Sequence, residues 1–188
     1  MSGNSIRYSS FAIGLHWLIA LMLFGMLGLG FYMTGLSISP AKLRYFSYHK
    51  WVGVTVFLMA LIRLAWRFMN PPPPLPAHMS ALLRLAAHGG HLMLYGLMFC
   101  IPLSGWLMSS AKGFQTVWFG VLPLPDLLGR DPVLGKQLTT VHLALNVVLI
   151  VAVVGHALAA LFHQFVHKDG TLYRMLPLMR LQPKVASD

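Results

Sequence analysis

Three long stretches of this chain carry no Asp, Glu, Lys or Arg, and that pattern narrows the possible folds more than any other feature. They run from Tyr8 to Ala41, from Leu85 to Ala111 and from Gln137 to His167. Each exceeds the roughly 20 apolar residues that a helix needs to cross the hydrocarbon core of a bilayer. Only 10% of the 188 residues are charged and 57% are hydrophobic, whereas soluble domains carry about 25% charged residues. The mean hydropathy is +0.69. A water-soluble fold is excluded, and the composition predicts an all-α membrane protein.

Breaks in the apolar pattern divide the chain into four spans, at about 11–34, 45–68, 82–109 and 138–165. They predict one four-transmembrane-helix bundle over residues 1–188, with no internal repeat. The segment Gly35 to Pro40 has the composition of a turn. Tyr45, Phe46, Tyr48 and Trp51 form an aromatic belt at one interface, with Trp66 and Arg67 at the other. Pro71, Pro72, Pro73, Pro74 and Pro76 cannot continue a helix and predict a stiff extended connector. Pro102 lies inside the third span, where neighbouring membrane helices can satisfy the freed carbonyl, so a kink is expected there and not an end. Lys112 to Lys136, with Pro123, Pro125, Pro132, Asp126 and Asp131, reads as an extramembrane loop whose Trp118 and Phe119 rest on the interface. Arg7 and the apolar residues after it resemble a signal peptide, but the stretch continues to Thr34 without a cleavage pattern, so it is read as a retained first span.

The net charge of +10 would suggest nucleic acid in a soluble protein, but here the cations flank apolar spans, where they meet anionic headgroups and set orientation. No nucleic-acid partner is expected. Four spans put both termini on one side of the membrane. Arg7, Arg63, Arg67, Arg84, Lys168, Arg174, Arg180 and Lys184 fall on the terminal side, and Lys42, Arg44, Lys50, Lys112, Arg130 and Lys136 on the far side. This bias favours cytoplasmic termini. Cys100 is the only cysteine, so there is neither a disulfide framework nor a Cys-x-x-Cys-His motif, and any haem would be held by ligation alone.

Nine histidines are the anomaly in a chain so poor in other ionisable groups, because ionisable side chains inside a membrane are costly and tend to be functional. Alternating span direction converts sequence position into depth. His16 lies near the terminal side on the first span, and His49 near the far side on the second. His142 and His156 both stand on the fourth span, separated by nearly four helical turns. They therefore share a face to within about 40° and lie about 21 Å apart along the axis. His142 matches His49 in depth, and His156 falls in the half of the membrane that holds His16. Two such pairs, one above the other, are what two stacked haems in a four-helix core require.

Alternatives remain open at this stage. A single intramembrane His can simply hydrogen-bond a neighbouring helix. His49 has one partner at its level, whereas His16, His88, His91 and His156 all compete on the terminal side. Arg63 follows His49 by the same interval that separates His142 from His156. It projects from the same face at the other depth, where it can hold haem propionates or snorkel to the interface. Gly53 and Gly155 would let a flat macrocycle approach the backbone, as glycine also does in ordinary membrane helix contacts. His163 and His167 lack a nearby Cys, Asp or Glu and are expected to be solvated at the interface, and His78 to be solvated in the connector.

These residues resemble the bacterial cytochrome b561 family of small di-haem membrane cytochromes, over nearly the whole chain. The resemblance is carried by Gly14-Leu15-His16-Trp17-Leu18, by His49 and Gly53 with Ile62-Arg63-Leu64, and by His88-Gly89-Gly90-His91 with Pro102 and Gly105. Val141-His142, Gly155-His156-Ala157 and Lys168 to Pro177 complete it. It implies a bundle enclosing two b haems, with His16 and His156 ligating one iron and His49 and His142 the other. It also implies an inner-membrane location and electron exchange with quinone, and some relatives are reported to oxidise superoxide with quinone as acceptor.

Two His ligands fill both axial positions of the iron, so substrates are expected to exchange electrons at the haem edge. The leading expectation is electron transfer between a small anionic or protein donor near Lys42, Arg44 and Lys50 and a membrane quinone. The same lysines also suit ordinary headgroup contact. Quinone reduction consumes protons, and His88 and His91, neighbours on one face of the third span, are candidates for a proton relay. A second reading makes the chain the haem-binding membrane subunit of a larger dehydrogenase or hydrogenase. A third makes it a haem-free membrane anchor or transporter. Homo-oligomerisation is compatible with each.

Overall fold

The computed structural model describes residues 7–75 and 79–176. Four helices account for most of it: α1 (Ser10–Gly35), α2 (Pro40–Met69), α3 (Ala81–Ala111) and α4 (Pro132–Phe162). All four are long and apolar enough to span a bilayer. Pro76 and His78 of the connector, and Pro177, Arg180 and Lys184 of the tail, lie outside the described residues.

The helices begin where side chains can cap them. Ser9 accepts from the Ala12 amide, Ser39 from Lys42 and Ser80 from Leu83, each satisfying one of the donors a helix start leaves unpaired. Two starts lie earlier than hydrophobicity predicts. The expected turn ending at Pro40 is shorter, because Ser39 caps α2 and Pro40 occupies its first turn. The expected loop up to Lys136 likewise ends at Asp131, whose carboxylate accepts from Val133 and Leu134 at 2.9 and 3.0 Å, with Pro132 next. A proline in the first turn costs nothing there, because its missing N–H has no helical partner. α3 continues through Pro102.

Helix α1 packs on α2 and α3 on α4, and the two hairpins meet chiefly through α2 and α3. The core is thin. One cluster gathers Ile19, Ala60 and Met98, and a second gathers Leu97, Leu149 and Ala152, with Leu23 of α1 touching both. Large apolar side chains such as Leu21, Phe24 and Val151 face outward, which is stable in lipid, where apolar surface carries no hydrophobic penalty. Both clusters lie midway along the helices, between the level of His16 and that of His49.

The α3–α4 connection closes the far side of the bundle. Its strands β1 (Val117–Trp118) and β2 (Leu122–Pro123) pair antiparallel around a turn in which Phe119 and Gly120 both take positive φ. Trp118, expected at the interface, packs against α2 beside Trp51 of the aromatic belt. Its indole donates to the Trp51 carbonyl and to Thr55 Oγ1 at 3.2 and 3.3 Å, while the Trp51 indole donates to the Val117 carbonyl at 2.6 Å. Two indole N–H groups in a low-dielectric region need acceptors, and each finds one on the other element. Lys50 adds a third tie, donating to the Phe114 and Gln115 carbonyls and to Ser109 Oγ. Lys42 in turn donates to the Leu36 carbonyl at 2.5 Å, just beyond the end of α1. Both lysines expected to attract a donor thus also hold loops in place.

The tail returns to the start of the chain. Past α4 comes a π-helical turn (His163–His167), then a 3₁₀ turn (Leu172–Arg174). Trp17 Nε1 donates to the Met175 carbonyl at 2.7 Å, the Tyr8 amide to Arg174 at 3.4 Å, and Arg7 to the Leu176 carbonyl. Arg174 donates to the Pro74 carbonyl of the connector at 2.7 Å. These contacts put the start of α1 and the end of α4 on the same side, as four spans require.

Candidate functional site

Two pairs of imidazoles face each other across the bundle, one at each level. His49 of α2 meets His142 of α4 with ring centres 6.4 Å apart, and His16 of α1 meets His156 of α4 at 6.2 Å. His91 of α3 also reaches His156, at 5.5 Å. His88, one turn earlier on α3, is exposed, and of the two relay candidates only His91 joins the terminal-side cluster.

These distances test what the pairs can hold. Two imidazoles ligating one metal from opposite sides have ring centres about 6.4 Å apart, given about 2 Å for each metal–nitrogen bond and about 1.2 Å from nitrogen to ring centre. Both cross-bundle pairs match this spacing. His91 and His156 are too close for it by close to 1 Å. Among the described residues no group of three or more His, Cys, Asp or Glu could hold a bare ion. Pairs suit a metal that brings its own equatorial ligands, as haem iron does.

Ring tautomers point the same way. His142 Nδ1 lies 2.9 Å from Ser104 Oγ, whose hydroxyl donates to the Ile101 carbonyl at 2.8 Å. The Nδ1 therefore carries the proton and leaves the Nε2 lone pair for a ligand. His91 Nδ1 donates to the Ala87 carbonyl at 2.7 Å, so its Nε2 is likewise an acceptor. His49 Nδ1 is buried without a hydrogen-bond partner.

Glycines on neighbouring helices make room for both far-side rings. A Cβ on Gly30 would stand 3.6 Å from His49 Cε1, and one on Gly105 only 3.2 Å from His142 Cε1. A Cβ on Gly53, expected to face a macrocycle, would stand 3.6 Å from Met26 Cε. The sequence reading passed over Gly30 and Ser104. Nothing local in the sequence marks either residue, because the imidazole each one meets stands on a different helix.

Arg63 is anchored at one end of its guanidinium. One of its nitrogens donates to the Ala12 carbonyl at 3.0 Å, tying α2 to α1, and its charge is felt at His16, His91 and His156. It lines a groove on the terminal side with Arg67, Tyr8, Tyr95 and Trp66.

His163 corrects the expectation of an imidazole solvated at the interface without an acid nearby. It donates to Asp169 Oδ2 at 2.6 Å, and the Asp169 side chain is 1% exposed. Burial opposes ionisation of this carboxyl, but hydrogen bonds from Thr171 and His163 outweigh it and hold Asp169 below its ordinary 3.8. A depressed carboxyl stabilises the fold above its unfolded value, and that contribution is lost as pH falls through the folded one. Proteolysis of the tail is therefore expected to be slow at neutral pH and to accelerate below about pH 4, and Asp169→Asn should flatten this dependence. A cleavage rate in the unsubstituted protein that ignores pH in this range would refute the clasp.

A family model described as prokaryotic cytochrome b561 matches residues 7–178. Cytochrome b561 homolog 2 of Escherichia coli (strain K12) is 38% identical over 172 residues, covering 90% of this chain and 91% of the relative. A Yersinia pestis protein named "Probable superoxide oxidase CybB" is 30% identical over 185 residues, covering 93% and 98%. Cytochrome b561 homolog 1 of Escherichia coli (strain K12) is 29% identical over 180 residues, covering 91% and 97%.

Proposed function

The chain belongs to the prokaryotic cytochrome b561 family, a family of multi-pass membrane electron-transfer proteins with b-type haem, and we propose that it carries two haems and passes electrons between a far-side donor and membrane quinone. The observation that carries this reading is the pair of cross-bundle imidazole distances, 6.2 and 6.4 Å. Each haem, when bound, supplies a one-electron ferric–ferrous couple. His49 and His142 hold the far-side iron, and His16 and His156 the terminal-side iron. Gly30 and Gly105 admit the far-side rings. A guanidinium has five N–H donors, so Arg63 keeps donors for a propionate while bonded to Ala12.

Electrons enter at the far side, beneath the Trp118 hairpin, and leave to quinone from the terminal side. The termini then face the cytoplasm and the hairpin the periplasm. His91 accepts a proton at Nε2 on the quinone side, beside His156. His88, one turn earlier on α3, passes protons inward from the exposed surface. The name of the Yersinia pestis relative supports superoxide as the donor. Each superoxide gives up one electron to become dioxygen, and two such electrons with two protons convert quinone to quinol.

A reduced-minus-oxidised spectrum of purified protein, with haem quantified per chain, tests the core of this reading. Two b haems per chain are expected, together with quinone reduction driven by superoxide. A single haem would remove the two-level relay, and no b-type signal would remove the cytochrome reading. His91→Ala should slow quinone reduction and alter its pH profile while both haems stay bound; an unchanged profile would exclude the relay role.

A further inference from the structure

Ser104 has no place in the ligand set, yet it lies 5% exposed within α3 and is bonded to a ring that does. Its Oγ is 2.9 Å from His142 Nδ1 and 2.8 Å from the Ile101 carbonyl. A hydroxyl has one proton. A carbonyl can only accept, so that proton goes to Ile101 and the His142 N–H donates to the serine oxygen. Gly105, the next residue, lets the same ring lie against α3, since a Cβ there would come within 3.2 Å of His142 Cε1. His142 is therefore held in one orientation and one tautomer by two consecutive residues of a helix that supplies no axial ligand. Its partner His49 has no hydrogen bond at Nδ1. Neither His16 nor His156 makes a ring-nitrogen hydrogen bond among the described residues.

We propose that Ser104 is the positioning residue that sets the reduction potential of the far-side haem, acting through His142. This rests on the reading of His49 and His142 as an axial pair. An N–H that donates to an oxygen leaves more electron density on the imidazole and makes its other nitrogen a stronger donor to the metal. A stronger axial donor favours ferric over ferrous iron and lowers the potential. The serine oxygen is itself a better acceptor because its own proton is committed to Ile101. Ser104 is thus a lever on one haem of the two. The Ile101 carbonyl also accepts from the His142 ring, and the Lys112 charge is felt there; both are common to wild type and variants, so the shift between them reads what Ser104 adds.

The test is an anaerobic redox titration, followed by visible absorption, of full-length haem-loaded wild type, Ser104→Ala and Ser104→Thr. Ser104→Ala is expected to move one of two titration steps upward by about tenfold in the reduction equilibrium, or about 59 mV for one electron. The other step should stay in place, and Ser104→Thr, which keeps the hydroxyl, should return the moved step toward wild type. If Ser104→Ala loses one haem, wild-type titration of Ser104→Thr supports the assignment, and loss of haem in both variants overturns it. Steps that both stay put, steps that move together, or a shift that Ser104→Thr fails to reverse also overturn it. A wild type that carries a single haem per chain overturns the two-level reading itself and takes this inference with it. Two wild-type steps left unmoved by Ser104→Ala overturn only the role of Ser104.

Discussion

Replacing His142 with alanine is expected to remove the far-side haem and leave the other, so that the b-type absorption per chain falls by about half. The size of the effect follows from how each site is built. In the proposed two-haem reading, two imidazoles on different helices are the protein ligands at that level, and His49 alone cannot complete six-coordination. His49→Ala should have the same result, because the two residues are ends of one contact 6.4 Å long. Haem binds only the folded bundle, so thermal stability should fall as well. Among the described residues α2 and α4 share no core cluster, so a haem held by His49 and His142 would be the main link between them. His88→Ala is the control and should keep both haems. A His142→Ala protein with full haem content would sink the assignment of the far-side pair.

The second large effect separates two neighbours that the sequence leaves in competition. His16→Ala is expected to lose the terminal-side haem, and His91→Ala to retain it. His16 stands 6.2 Å from His156, the separation that two axial ligands require, whereas His91 stands 5.5 Å away. His91 is also held back by its bond to the Ala87 carbonyl of its own helix. Haem quantified in the two variants side by side decides the matter. Retention in His16→Ala with loss in His91→Ala would reverse the assignment. The double variant His16→Ala with His142→Ala should carry no haem.

Several features were legible because they depend on local chemistry. The four spans follow from runs without charge. The shared face of His142 and His156 follows from the periodicity of a single helix. Even the early starts of α2 and α4 were written in the chain, since Ser39-Pro40 and Asp131-Pro132 are a capping residue followed by a first-turn proline. Hydrophobicity placed those starts too late because it marks where the lipid begins, and a helix can begin in the headgroup region. The Trp118 and Lys50 contacts are of another kind: they join the α3–α4 loop to α2, with the whole of α3 lying between the partners in sequence. No local pattern encodes such a partner.

By itself the sequence determined how deep each residue lies, and that depth carries much of the proposed function. A bilayer imposes an axis on the chain, so four apolar spans of alternating direction turn residue number into height, and the matched heights of His49 with His142 and of His16 with His156 follow. Which residues at one height touch was decided by the tertiary structure alone. It selected His16 over His91 as the partner at axial spacing, sent Arg63 to Ala12, and placed Ser104 and Gly105 against His142. The physical reason is that lateral neighbours are set by how helices pack around one another, through small residues and short polar contacts between distant segments, whereas hydrophobicity acts only along the membrane normal.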